Sequence, residues 1–267
     1  MSTYAALVTY RELFGNLFRR DVQAKYRGSA LGVLWTIANP VLLMGVYLLV
    51  FGVVWRSPLS EGGHYPLFLL CGLAVWTFFA AALQASTRSM LDNANLIRKT
   101  RFPRQLVPLS VVAAHLIGFG AMLVLLLVLN AAVLPRARAT ELLALPLALL
   151  VVGLVSGIAL AVACLNVLFR DVEFIVAALL VPWFFLTPIL YPLTKVPGAS
   201  GEHPHVIAVL HWANPLSPAV EAVRAPLFEG TLPFWGDALY LAVACVAALA
   251  LGAFVFARVD DRIAIEV

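Results

Sequence analysis

Three histidines, His203, His205 and His211, stand close together and are the first residues whose chemistry invites a ligand. A metal site built on them is a weak reading, because histidines in a polar, proline-rich stretch are commonly solvated or hydrogen-bonded, and no metal is expected. Arg170, Asp171 and Glu173 gather at one turn, yet they are too few for clustered acid–base chemistry. Cys71, Cys164 and Cys245 lack the paired spacing of a redox or metal motif and read as small buried apolar residues. The sequence also has no G-x-x-x-x-G-K-S/T phosphate loop, no G-x-S-x-G elbow and no H-E-x-x-H pair. No residue is therefore assigned a catalytic role, and no cofactor is expected to bind this chain.

Two patterns carry physical rather than covalent chemistry. The first is the stretch from Thr87 to Pro108, which mixes charge with apolar anchors: Asp92, Asn95, Leu96, Ile97, Arg98, Lys99, Arg101, Phe102 and Arg104. Asp92 or Asn93 is placed to cap a short helix containing Leu96 and Ile97, and Phe102-Pro103 to close it. Such a helix presses into a partner; the plainer reading is basic charge retained on one side of a membrane. The second pattern is aromatic. Tyr47, Phe51 and Trp55 recur at helical spacing, and Phe184 and Tyr191 recur seven apart. Trp55 alone is an interface anchor, whereas a stripe reaching back to Tyr47 is also a surface on which sugar rings can stack.

The elements that must position these residues are membrane spans. The chain has 267 residues, of which 63% are hydrophobic and only 12% charged, with a mean hydropathy of +0.96. That composition excludes a water-soluble globular fold. Seven stretches of at least 18 residues are free of charge, and six of them supply the roughly 20 apolar residues that cross a hydrocarbon core. The expected fold is all-α and polytopic, a single transmembrane domain over residues 1–267. Its spans are 31–54, 67–86, 109–134, 143–169, 174–192 and 234–257, with a coupling loop at 87–108. The seventh stretch, 203–220, holds three histidines, three prolines and Asn214. It is read, with its surroundings at 195–233, as an outer region of short re-entrant helices, since a lipid-exposed span there would break its own backbone hydrogen bonding.

With the N-terminus inside, 13 of the 18 lysines and arginines fall in cytoplasmic segments, so both termini are placed in the cytoplasm of a multi-pass cytoplasmic (inner) membrane protein. The net charge of +4 is then a topology signal and gives a nucleic-acid role nothing. No signal peptide is visible in the first 27 residues. Residues 4–23 place Leu17, Phe14 and Phe18 on one helical face and Arg19, Arg20 and Gln23 on the other, within an amphipathic interface helix assigned to 1–27; Arg11 and Asp21 break the pattern. This helix anchors the chain or docks a cytosolic partner. Pro40 in the first span and Pro182 and Pro188 in the fifth are expected to bend their helices. His115, Asn130 and Asn166 are expected to hydrogen-bond neighbouring helices. Apart from Asp237 at the outer end of the sixth, the six spans lack Asp, Glu, Lys and Arg, which disfavours ion-coupled pumping and requires energy to enter from another chain.

Five segments together resemble the permease subunits of polysaccharide-exporting ABC transporters of the type-2 exporter superfamily, which move O-antigen, teichoic acid and capsular glycans. They are FRRDVQAKYRGSALGVLWTIANPVLL from Phe18, LIRKTRFPRQLVPLS from Leu96, NVLFRDVEF from Asn166, FFLTPILYP from Phe184 and NPLSPAVEAVR from Asn214. The resemblance runs almost end to end. It implies a homodimer of this chain with two cytosolic ABC ATPase subunits, which hold the ATP and Mg and hydrolyse the nucleotide, so this chain is a transporter permease and not an enzyme. It implies contact with the ATPase through Arg19, Arg20 and the segment from Asp92 to Arg104. It implies a polyprenyl-linked glycan as substrate, with Tyr47, Phe51, Trp183, Phe184 and Tyr191 along its channel and Arg170 and Asp171 at a cytoplasmic turn. Two other readings are weighed: an ABC permease of the same architecture exporting a small drug or lipid, and a membrane-embedded polyprenyl-lipid glycosyltransferase.

Overall fold

The computed structural model describes residues 10–50, 64–100, 102–134, 139–193 and 204–266, and every regular element among them is helical. In chain order these are α1 (Arg11–Tyr26), α2 (Trp35–Tyr47), α3 (Tyr65–Asp92), α4 (Ala94–Lys99), α5 (Leu106–Val133), α6 (Ala144–Leu168), α7 (Asp171–Leu186), α8 (Pro204–Trp212), α9 (Leu216–Arg224) and α10 (Trp235–Glu266). Single 3-10 turns lead into α2 (Gly32–Leu34) and α6 (Glu141–Leu143), and a π turn (Ala225–Glu229) follows α9. Expected elements at Phe51, Trp55, Arg101 and His203 lie outside the described residues.

Among the described residues, four helices are long and apolar enough to cross a membrane: Tyr65–Asp92, Leu106–Val133, Glu141–Leu168 and Trp235–Asp260. At 1.5 Å per residue, α3 and α5 with 28 residues each reach about 42 Å, past the roughly 30 Å of a hydrocarbon core. The apolar helix Trp35–Val50 is shorter and runs to the edge of the described residues. Helix α7 has 16 residues and stops at Leu186, so Pro182 lies within it while Pro188 belongs to the turn that follows. The seven-residue alignment of Phe184 with Tyr191 does not hold, because the helix has ended before Tyr191.

Helices also run past the expected loop boundaries. Residues 87–92, read as loop, are the last turns of α3. The apolar period continues there through buried Met90, and the hydroxyls of Thr87 and Ser89 are satisfied on the carbonyls of Leu83 and Ser86 at 2.8 and 2.6 Å. The segment after 257, read as a tail, continues α10 to Glu266. Helix α1 runs directly into a reversal at Gly28, whose φ of +78° a residue with a Cβ adopts only under strain.

Two apolar clusters hold the bundle. The larger is centred on α3, which buries Leu69, Leu73, Val75, Phe79 and Ala82 among residues of α5, α6, α7 and α9. The tightest approach is between α6 and α10. A Cβ on Gly157 would meet the backbone of Ala248 and Leu249, one on Gly252 would meet the backbone of Gly157, and one on Gly153 would meet Cys245 Sγ. Small residues four apart on each helix thus bring two backbones together, the packing that replaces hydrophobic drive inside a membrane. The smaller cluster gathers Leu17 of α1, Met90 of α3, Ile97 of α4, Leu106 of α5, Leu160 and Val167 of α6, and Phe256 and Val259 of α10.

Candidate functional site

The smaller cluster defines one end of the bundle, and polar links around it join neighbouring elements. Ile97 is 4% exposed and Leu17 also 4%, so α4 and α1 are each pinned by a single deeply buried aliphatic side chain. Arg104 donates to Asp260 Oδ1 at 2.9 Å and also to the Asp260 carbonyl, joining the segment after α4 to the far end of α10. Ser110 Oγ donates to Asp21 Oδ2 at 2.6 Å, joining α5 to α1. Asp21, which broke the amphipathic pattern, is therefore a deliberate inward acid. Arg88 meets Glu173 at 3.0 Å, and buried Asn166 accepts the backbone N–H of Glu173 at 3.0 Å, so the start of α7 is capped by α6 and clamped by α3.

With those anchors turned inward, the other residues of the segment face out. Asp92, Asn95, Arg98 and Lys99 are exposed, as are Arg19 and Arg20 of α1 and Arg170 and Asp171 at the α6–α7 turn. Leu96 and Phe102 are half-buried against the cluster. Neither Arg170 nor Asp171 forms an ion pair among the described residues; the acid that pairs across the turn is Glu173. Capping of α4 also differs from expectation. Asn93 directs its side-chain amide back to the Ser89 carbonyl at 2.7 Å, and Asp92 approaches Arg88 at 3.8 Å, so neither caps α4 through its side chain. The bundle end therefore presents a six-residue helix held on a rigid base, with a polar and basic outer surface and no acid of its own within α4.

The aromatic residues meet in one cluster on the α2, α3 and α7 side. Tyr47 stacks on Phe184 at 5.7 Å between ring centroids, Phe184 meets Trp76 edge-on at 5.4 Å, and Trp183 meets Phe79 edge-on at 5.0 Å. Tyr191 reaches the group differently, by donating its hydroxyl to the Phe185 carbonyl at 2.9 Å. Four of the five expected aromatics are thus brought together, and Phe51 lies outside the described residues. Trp76, Phe79 and Phe185 were not anticipated; no periodicity links them to the others, because they come from a different helix or face. Phe184 is buried, Tyr47, Trp183 and Tyr191 are half-buried, and Phe185 is exposed.

The opposite end of α3 is organised by two residues of the Asn214–Arg224 segment. Asn214 Oδ1 accepts from Trp183 Nε1 at 2.8 Å and from the Leu216 N–H at 3.0 Å, while its Nδ2 donates to Thr187 Oγ1 at 2.9 Å. One amide thus fixes the indole of Trp183, the end of α7 and the start of α9. Arg224 is fully buried. Its guanidinium donates to Glu221 at 2.9 Å and to the Pro188 carbonyl at 2.8 Å, and lies 3.8 Å from the centre of the Phe68 ring. Gly72 leaves the space it occupies, since a Cβ there would sit 2.7 Å from Arg224 Nη2. Burial pushes the Glu221 carboxyl above the usual carboxylate range, with Arg224 pulling the other way. Of the histidines, His205 is exposed, and His211 Nε2 lies 2.6 Å from Asp237 Oδ1 at the start of α10. In the spans, Asn130 reaches Cys71 Sγ of α3 at 4.0 Å, whereas His115 bonds the Val111 carbonyl of its own helix at 2.9 Å.

Comparison with known proteins assigns the architecture. Residues 12–228 match the family described as ABC-2 type transporter. The chain is 34% identical over 251 residues to the O-antigen export system permease protein RfbA of Myxococcus xanthus, covering 94% of this chain and 93% of the relative. It is 31% identical over 218 residues to the protein of the same name from Klebsiella pneumoniae, covering 80% of each. It is 25% identical over 241 residues to the polysialic acid transport protein KpsM of Escherichia coli, covering 88% of this chain and 89% of the relative. With the matched region reaching from α1 through α9 and the long apolar helices in place, the chain is a multi-pass membrane protein that belongs to the ABC-2 type transporter family.

Proposed function

We propose that this chain is the transmembrane subunit of an ATP-driven exporter that carries a polyprenyl-linked polysaccharide, O-antigen-like or teichoic-acid-like, across the cytoplasmic membrane. The observation that carries this reading is the near full-length match, 94% of this chain against 93% of the relative, to an O-antigen export system permease. Two copies form the conduit and two cytosolic ATPase subunits drive it. Helices α2, α3, α5, α6, α7 and α10 make six spans, α8 and α9 are the outer re-entrant pair, and both termini are cytoplasmic. The distribution of basic residues and the absence of acids and bases from the apolar stretches support this topology.

The mechanism is mechanical. ATP binding draws the ATPases together and displaces α4 and α1. Because Arg104 grips α10 and Ile97 seats among α3, α5 and α6, a push on α4 is delivered to several spans at once. The glycan passes over aromatic faces such as those of Tyr47, Trp183 and Tyr191, where each contact contributes roughly 0.5–1.5 kcal/mol, enough to guide sugars without trapping them.

The test separates the outward charges of α4 from its inward anchor. Reversing both charges, Arg98→Glu with Lys99→Glu, is expected to leave folding unchanged within about 0.5 kcal/mol, as for exposed positions generally. The same variant is expected to weaken capture of the ATPase and to lower glycan export at least about tenfold, the loss that corresponds to roughly 1.4 kcal/mol of interface energy. Normal ATPase capture and export by this variant would show that α4 is not the coupling surface.

A further inference from the structure

Two cavities on the α1 side of the bundle join into one groove whose chemistry changes along its length. One, of about 430 Å³, is walled by apolar side chains including Leu43, Phe78, Phe119 and Met122. The other, of about 890 Å³, is the more polar of the two and sets Arg20, Asp21, Gln84, Arg88 and Glu173 among Ala24, Ala85, Val111 and Ala114. Lys25, Ala81 and His115 line both and mark the junction. Along α3 the lining residues Thr77, Ala81, Gln84, Arg88 and Asp92 share one helical face, which spans about 22 Å from the apolar end to the polar end. An amphiphile with a polar head and an extended chain has this form.

The charges decide which head fits. Arg20, Lys25 and Arg88 face Asp21, Asp92 and Glu173, with His115 at the junction and neutral Tyr26 beside it. Arg20 is taken by Asp21 at 2.8 Å, and Arg88 by Glu173 at 3.0 Å with Asp92 at 3.8 Å. Among the described residues Lys25 forms no ion pair; its ammonium lies only over the ring of Tyr26 at 5.5 Å. The ammonium is exposed to the groove, yet the walls around it remove enough water to push it below the usual lysine range. One free positive charge at the head of an apolar channel suits one negative charge. A diphosphate would bring further charge against Asp21, Asp92 and Glu173.

We propose that this groove is a binding site for a bilayer phospholipid whose head carries a net charge of −1, its phosphate at Lys25 and one acyl chain along Leu43, Phe78 and Phe119. The lipid wedges between α1 and the α3–α5 pair, so it holds the surface helix at its working distance from the spans. The site is separate from the glycan path and stands whichever cargo the exporter carries.

Full-length chain would be purified in detergent, mixed with phosphatidylglycerol and phosphatidylcholine in equal amounts, and the retained lipid read by native mass spectrometry. Phosphatidylglycerol is expected to be retained over phosphatidylcholine by about fivefold, the ratio one basic side chain contributes near an anionic headgroup. Lys25→Gln should abolish that preference and Lys25→Arg should keep it. Ala81→Trp, which fills the exposed junction, should remove retention of both lipids, while Arg98→Gln with Lys99→Gln on α4 should change nothing. Equal retention of the two lipids by the native chain, or undiminished preference in Lys25→Gln, overturns the proposal. So does displacement of phosphatidylglycerol by a lower concentration of polyprenyl diphosphate, since the groove would then belong to the carrier of the cargo.

Discussion

Gly157→Leu is expected to prevent the chain from accumulating in a folded form, a larger effect than any surface substitution in the molecule. The cause is backbone against backbone: the first carbon added at Gly157 meets the Ala248 carbonyl and the Leu249 nitrogen, which cannot rotate away as a side chain can. Overpacking a tight core costs about 3 kcal/mol at the upper end of its usual range, and here the only relief is to part α6 from α10. Gly120→Ala provides the control. It lies in α5 with nothing within 4 Å of a built Cβ, so it should be neutral or stabilise by up to about 1 kcal/mol through helix propensity. Thermal unfolding in detergent, read by size-exclusion recovery after heating, checks both. Survival of Gly157→Leu at the native melting temperature would mean that α6 and α10 do not approach as closely as described.

The second large effect is expected at Arg224. Arg224→Met keeps the unbranched apolar stem but removes the positive charge beside Glu221 and leaves the Pro188 and Ile189 carbonyls without their donor. Breaking a buried pair from one side costs about 3–5 kcal/mol. The double variant Arg224→Met with Glu221→Gln should recover part of that loss, because the raised pKa of Glu221 already marks its carboxylate as poorly solvated there. Arg224→Lys should not rescue, since a single ammonium cannot donate to Glu221 and Pro188 while lying flat over Phe68. Equal stability of Arg224→Met and the native chain would remove Arg224 from its place as the pin of this end.

These two sites also show where sequence reading stops. Charge-free stretches and the basic bias are local properties, so the long apolar helices and the outward charges of α4 were legible residue by residue. Gly157 was not, because nothing in α6 alone says that another backbone will lie against it. Arg224 carried a segment resemblance but no role, since its partners Pro188 and Phe68 are distant in the chain. Asp21 and Asp92 make the same point among the charged residues. One looked misplaced on an amphipathic helix until Ser110 arrived opposite it, and the other looked like a helix cap until Arg88, one turn earlier, took it. The aromatics were found by type and approximate depth. Their meeting depends on α2, α3 and α7 converging, and the helix-spacing argument for Tyr191 failed because α7 ends five residues before it.

The central claim is that this chain supplies the membrane path while a separate ATPase supplies the energy. It is tested most directly by co-expressing and co-purifying the chain with cytosolic ABC ATPase subunits from the same genome and measuring ATP hydrolysis in lipid nanodiscs with and without polyprenyl-linked glycan. A stable complex of two permeases and two ATPases, with turnover that changes on adding the glycan, is the predicted result. A chain that captures no ATPase, or a complex whose turnover is indifferent to every polyprenyl-linked glycan while responding to a small drug or a lipid, would contradict it.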